Sequence, residues 1–223
     1  MKKTISILLA AFMSLALAAC GSAAADNTTQ KTDESTLQPS EGESTATSPT
    51  DSSEPNKEDG AKVLVAYFSC TGTTKALAEY VATSVEAELY EIVPAEPYTA
   101  EDLNYSDDNS RSTREMNDPP SRPEIIGSVE NMEQYDIVFI GYPIWWGDAP
   151  RIVSTFMESY DFSDKTVVPF CTSGGSGIGS SGTNLEKLTS GANWLTGQRF
   201  GGGASYEDIV SWVNGLGLDI TAE

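Results

Sequence analysis

Three short apolar runs set the limits on what this chain can fold into. Residues 63–68 (Val-Leu-Val-Ala-Tyr-Phe), 137–140 (Ile-Val-Phe-Ile) and 166–170 (Thr-Val-Val-Pro-Phe) are nearly continuous hydrophobic stretches. Such runs suit strands covered on both faces rather than one. Between them the apolar residues change to helical spacing. Leu77, Val81 and Val85 recur every fourth residue within 75–87. Ile152, Val153, Phe156, Met157 and Tyr160 share one face of a segment with Asp148 as its expected cap and Pro150 in its first turn. Residues 89–93 read as a second strand and 193–200 as a weaker fifth, while Pro169 sits near the end of the fourth. Ser205 and Asp208 have capping-box spacing ahead of Ile209, Val210, Trp212, Val213 and Leu216. Residues 94–134 are long, polar and proline-containing, with one helical piece at 111–117; Leu185 and Leu188 mark another short helix. The resulting order, β-α-β-loop-β-α-β-α-β-α, specifies an α/β fold with a parallel sheet and helices on both faces. Ligands of such sheets bind beyond the carboxyl ends of the strands.

Only part of the chain takes part in that sheet. Residues 1–20 form a targeting segment: Lys2 and Lys3, then an uncharged apolar run over 5–19 that is short for a membrane span of roughly 20 residues. It ends Leu17-Ala18-Ala19-Cys20, which resembles the lipobox of bacterial lipoproteins. That resemblance implies a diacylglycerol on the Cys20 thiol and an extracytoplasmic, lipid-anchored protein. An ordinary secretory signal with an incidental Cys would export the chain untethered. Residues 21–61 hold 14 Ser or Thr, nine acidic residues, two Lys, no aromatic and Leu37 as the one large aliphatic. Such a stretch buries too little apolar area to offset its ordering entropy, and as a flexible linker it spans about 35 Å. Residues 62–223 hold every Trp and Tyr and are long enough for one sizeable core.

Several functions are excluded at this point. The sequence has no histidine, so no Ser-His-Asp or Cys-His nucleophile and no imidazole metal site can be built. A hydrolase using Ser173 or Ser176 suffers from the same lack. The net charge is −20 overall and −15 for residues 62–223 (9 basic, 24 acidic), which repels nucleic acid. Cys70 and Cys171 end the first and fourth strands.

The chemistry lies in three loops. The first strand is followed by Ser69-Cys70-Thr71-Gly72-Thr73-Thr74, opening directly into a helix. Hydroxyls and helix-terminal amides there make a phosphate cradle without a basic side chain. After the third strand come Pro143, Ile144, Trp145, Trp146, Gly147 and Asp148. Two tryptophans in a strand-end loop suit stacking on a flat ligand. After the fourth strand come Ser173, Gly174, Gly175, Ser176 and Gly177, where backbone can approach a ligand closely.

At these residues the sequence resembles the flavodoxin-like family. Residues 69–74 match its [ST]-x-T-G-x-[ST] loop, and Trp146-Gly147-Asp148 is similar to its aromatic-Gly-Asp turn. The likeness spans 62–223 and implies a three-layer sandwich on a five-stranded parallel sheet of order 2-1-3-4-5, with non-covalent FMN. It implies that residues 69–74 hold the phosphate, Trp145 or Trp146 lies against the isoalloxazine, and 173–177 reach its pyrimidine edge. No metal is implied. One departure matters: family members that carry electrons commonly place a second aromatic after the fourth strand, where this chain has only Ser and Gly. One flavin face is therefore expected to be less covered, unless Tyr98 or Tyr105 closes over it.

The expected function is an FMN-dependent redox protein, either an electron-transfer flavodoxin or a small flavin reductase, tethered outside the membrane. Its expected partners are redox proteins or small electron donors and acceptors, with no nucleic acid. The alternative is a non-enzymatic ligand-binding lipoprotein that retains the fold.

Overall fold

The computed structural model describes residues 60–223. The leader, Cys20 and the linker up to residue 59 lie outside the described residues. In chain order the elements are β1 (Val63–Tyr67), α1 (Thr73–Ser84), β2 (Glu88–Glu91), β3 (Val93–Pro94), α2 (Arg111–Asn117), β4 (Ile125–Ile126), a 3-10 turn (Met132–Gln134), β5 (Ile137–Pro143), α3 (Arg151–Glu158), β6 (Thr166–Thr172), α4 (Ser181–Glu186), β7 (Asn193–Trp194), β8 (Gln198–Phe200) and α5 (Tyr206–Asn214). The main sheet runs β2-β1-β5-β6, with β7 and β8 sharing the outer edge of β6, and every pairing in it is parallel. Counted by position, this is the expected 2-1-3-4-5 order.

Both faces of the sheet are covered, which is why the strands read as unbroken apolar runs. Leu64 and Ala66 of β1 pack toward Ile152, Val153, Phe156 and Met157 of α3. Val63, Val65 and Tyr67 pack the other way, toward Leu77, Ala78 and Val81 of α1 and Ile209 and Val213 of α5. The Ser205–Asp208 capping box forms as its spacing indicates. Among the described residues no helix is long and apolar enough to cross a membrane.

Four expectations are corrected. Helix α1 starts at Thr73 and stops at Ser84, because the chain turns through Glu86 at φ 51°. The strand expected over 89–93 is two pieces. β2 stops at Glu91, and β3 instead pairs antiparallel with β4, matching Val93 with Ile126. With the Ala95 amide donating to the Glu124 carbonyl at 2.9 Å, this ribbon closes the long polar segment at its neck. Asp148 does not cap α3. Its Oδ1 accepts the neighbouring Ala149 amide at 2.9 Å, and Pro150 is the cap residue. The fifth strand is broken opposite Pro169. The register advances from Val167 to Phe170 on β6 but from Trp194 to Gln198 on its neighbour, one residue more. A Cβ at Gly197 would lie 2.7 Å from the Pro169 carbonyl oxygen, so this proline faces the outer strand. Having no N–H to offer there, it interrupts the ladder, and a bulge takes up the extra residue.

Candidate functional site

A cavity of about 510 Å³ opens at the carboxyl ends of β1, β5 and β6, within the usual size of small-molecule sites. One side is the loop from β1 into α1. Gly72 is the cap residue of α1 at φ 85°, and its amide donates to Ser69 Oγ at 3.1 Å. Thr71 Oγ1 and Thr73 Oγ1 lie 3.4 Å apart. Thr74 is buried, and its hydroxyl meets that of Thr172, at the end of β6, at 2.7 Å. No side chain caps α1, and no acidic residue lies in its first turn. The amides of that turn and the positive end of the helix dipole are thus left for an anion.

The second side is the turn after β5. Trp145 and Asp148 exchange two backbone hydrogen bonds of 2.9 Å each. Between them Trp146 has φ 47° and Gly147 φ 80°. Positive φ at both central residues is the type I′ hairpin turn. Glycine adopts it freely, whereas a tryptophan there is strained. This turn separates the two tryptophans. Trp145 is 3% exposed and packs edge-on against Phe68 and Tyr98, with centroids 5.5 and 5.3 Å away. Trp146 is 40% exposed and lies against Tyr105, with centroids 4.4 Å apart and planes at 31°.

The third side is the start of the loop after β6. The Ser173 amide donates to the Phe200 carbonyl at 3.2 Å, and Arg199 Nη2 donates to the Ser173 carbonyl at 2.5 Å. Further along, Ser181 Oγ donates to the Ile178 carbonyl at 2.7 Å and lies 3.0 Å from the Tyr142 hydroxyl, tying the loop to β5.

The structure brings Ser69, Cys70, Thr71, Thr73, Thr74, Pro143, Ile144, Trp145, Ser173 and Gly174 together around this one cavity. Gly72 stands behind the lining as the cap of α1. Trp146, Gly147, Asp148, Gly175, Ser176 and Gly177 do not line it. The Asp148 carboxylate turns elsewhere, 3.3 Å from Asn184 Nδ2 and 3.5 Å from Arg151 Nη1. Leu103, Tyr105, Thr172 and Gly202 complete the lining. Of these, Tyr105 was named in the sequence only as a candidate cover. The glycine triplet 201–203 after the last strand was the signal for Gly202, since a Cβ at Gly202 would crowd Thr73 at 3.1 Å.

Leu103 and Tyr105 reach the cavity because their segment is pinned. The Tyr98 hydroxyl donates to Glu115, Arg111 Nε pairs with Glu115 at 2.7 Å, and the guanidinium carbon stands 4.1 Å above the Tyr98 ring. Burial, then the hydrogen bond to Glu115, holds the Tyr98 hydroxyl well above its ordinary pKa, so it stays a donor. Arg122 pairs with Glu158 of α3 through two bonds of 2.7 and 2.8 Å. The lining carries no carboxylate and no basic group, so the domain's negative charge acts there only from a distance and is screened by salt. Both cysteines in the described residues are free. Cys70 lies at the cavity and Cys171 within β6, and desolvation pushes both thiols up to about 12.

A doubly covered parallel sheet with a hydroxyl-rich anion loop at its carboxyl edge defines a flavodoxin-like α/β protein. The chain belongs to the flavodoxin family, whose model matches residues 62–216. Among solved structures, a candidate flavoprotein from Bacteroides eggerthii is 48% identical, with a TM-score of 0.68 over 71% of this chain and 99% of that one. One from Bacteroides uniformis is 47% identical, with a TM-score of 0.67 over 70% and 99%. A flavoprotein from Lactobacillus acidophilus, solved in complex with FMN, shares the fold at 23% identity and a TM-score of 0.52 over 70% and 99%. A search of curated proteins returned no match.

Proposed function

We propose that this protein is an FMN-dependent redox protein, an electron carrier or small flavin reductase, held outside the membrane by a lipid on Cys20. The observation that carries the reading is the uncapped N-terminus of α1, with its Ser and Thr hydroxyls, facing a cavity that Leu103, Tyr105, Pro143, Ile144 and Trp145 line with apolar surface. A phosphate monoester with a flat aromatic end matches that donor set. The amides of the first turn of α1, with Ser69, Thr71 and Thr73, hold the phosphate. The hydroxyl of Thr74 is already engaged with Thr172, so it braces the loop as well. Leu103, Ile144, Trp145 and Tyr105 exclude water from the ring, and the backbone of Ser173 and Gly174 serves its polar edge. Bound FMN would supply one-electron and hydride chemistry, while the protein sets access and orientation. The L. acidophilus protein solved with FMN supports the choice of cofactor.

The test is the absorption spectrum of the purified chain before and after adding FMN. A yellow protein, or one that becomes yellow stoichiometrically, is expected; a chain that takes up no FMN refutes the reading and leaves the ligand-binding alternative. Rapid mixing with NADH or NADPH then separates a reductase from a carrier that needs a protein donor. The net −15 of residues 62–223 suits redox partners with basic docking faces. For the anchor, Cys20→Ala is expected to move the protein from the membrane fraction to the soluble one. An unchanged distribution refutes lipidation at Cys20.

A further inference from the structure

We propose that Tyr105 is the aromatic cover for the ligand ring that the loop after β6 lacks, and that Trp146 positions it from behind. This rests on the FMN reading above. The loop after β6 offers the cavity only Ser173 and Gly174, neither of which can stack on a ring. Tyr105 lines the cavity, while Trp146, whose ring lies tilted against it with centroids 4.4 Å apart, does not. Tyr105 is therefore the aromatic face offered to a ligand, with Trp146 as its support.

Two observations show that this placement is built rather than incidental. First, the pair is costly. Tyr105 is 57% exposed and Trp146 40%, and Trp146 sits at φ 47°, a conformation that a bulky residue adopts only when its surroundings hold it there. Second, the segment carrying Tyr105 is tied on both sides. Upstream, the Asp102 carboxylate accepts the Thr99 amide at 2.9 Å, and the Asp102 carbonyl accepts the Ser112 amide at 3.0 Å. At Tyr105 itself, Asn104 Oδ1 accepts the Ser106 amide at 3.0 Å. Downstream, Ser110 caps α2 through the Thr113 amide. Tyr105 is thus held at the cavity by its own segment, and it lines that cavity together with Ser173 and Gly174 of the loop after β6.

The test is titration of the full chain with FMN and, separately, with riboflavin, following quenching of flavin fluorescence. Stacking on an aromatic acts on the ring and ignores the phosphate. Tyr105→Ala is therefore expected to weaken both flavins by the same factor, about tenfold, and Tyr105→Phe to stay within about twofold of wild type. Trp146→Ala is expected to weaken both flavins less, Trp146→Phe to restore binding, and the Trp146→Ala loss to vanish in a Tyr105→Ala background. Wild-type binding with Tyr105→Ala unchanged overturns this inference and leaves the FMN reading standing. A Trp146→Ala loss that persists undiminished beside Tyr105→Ala also overturns it, because Trp146 would then touch the ring itself. A wild type that takes up neither flavin removes both proposals.

Discussion

The contact between Thr74 and Thr172 joins two of the three loops that form the cavity, and its contribution can be worked out. Both side chains are buried, their hydroxyls are 2.7 Å apart, and neither has another side-chain hydrogen bond among the described residues. Thr74→Val keeps the shape, removes one hydroxyl and leaves that of Thr172 buried without a partner. A hydrogen bond of this kind contributes about 1 kcal/mol net, while an orphaned buried hydroxyl costs about 1–3 kcal/mol. Each single valine variant is therefore expected to lose about 1–3 kcal/mol, roughly 2–12 °C in melting temperature for a domain of this size. The double variant orphans nothing and puts two methyl groups together, so it is expected to lose less than the sum of the singles by about 1 kcal/mol or more. Urea unfolding of the chain without added flavin, followed by tryptophan fluorescence, measures all four corners of the cycle. Losses that simply add, or single losses under about 0.5 kcal/mol, would refute the argument that this pair ties the anion loop to β6.

Three further outcomes are expected. Gly141→Ala would place a Cβ 2.3, 2.7 and 3.0 Å from three ring atoms of Phe170, which is fully buried and cannot yield; a loss of about 2 kcal/mol or more in urea unfolding is expected. Gly147→Ala meets no atom within 4 Å, so its cost is the backbone at φ 80° alone, about 1–2 kcal/mol by thermal melt. Arg122 holds the Glu158 carboxyl below its ordinary value of 4.5 by hydrogen bonding. A depressed carboxyl stabilises the fold above that value, and the contribution fades as pH falls through the folded pKa. Glu158→Gln is thus expected to cost under about 1 kcal/mol near pH 7, since the pair is partly exposed. The difference should shrink as pH falls below 4.5 and vanish below the folded-state pKa, and a pH-independent difference in melting temperature would contradict the pairing.

Much of the fold was legible because it follows from local chemistry. The capping box at Ser205 and the helix over 111–117 need only neighbours in sequence, and both form as read. The three apolar runs pair side by side at the centre of the sheet, since burial on both faces leaves no other pattern for them. Pro169, expected near the end of the fourth strand, lies in the middle of β6 and breaks the strand beside it instead of its own. The β3–β4 ribbon was illegible for a different reason: two-residue strands have no periodicity to detect, and this one exists because the ends of a long excursion meet.

The site divides in the same way. The order of the loops and their residue types placed a phosphate-holding loop, an aromatic turn and a glycine-rich loop at one edge of the sheet, because strand-end loops of a parallel sheet have nowhere else to go. Which aromatic faces the cavity is a matter of packing. Trp145 and Trp146 are adjacent and identical in type, yet one is buried against Phe68 and the other turned outward, because the tight turn between Trp145 and Asp148 sends their side chains different ways. Tyr105 reaches the cavity from about thirty residues beyond the first loop through hydrogen bonds at Asp102 and Ser110 that no spacing announces. Residue chemistry along the chain was enough to name what kind of ligand the edge of this sheet suits. The walls that would hold that ligand came from contacts between distant segments, which exist only once the chain has closed on itself.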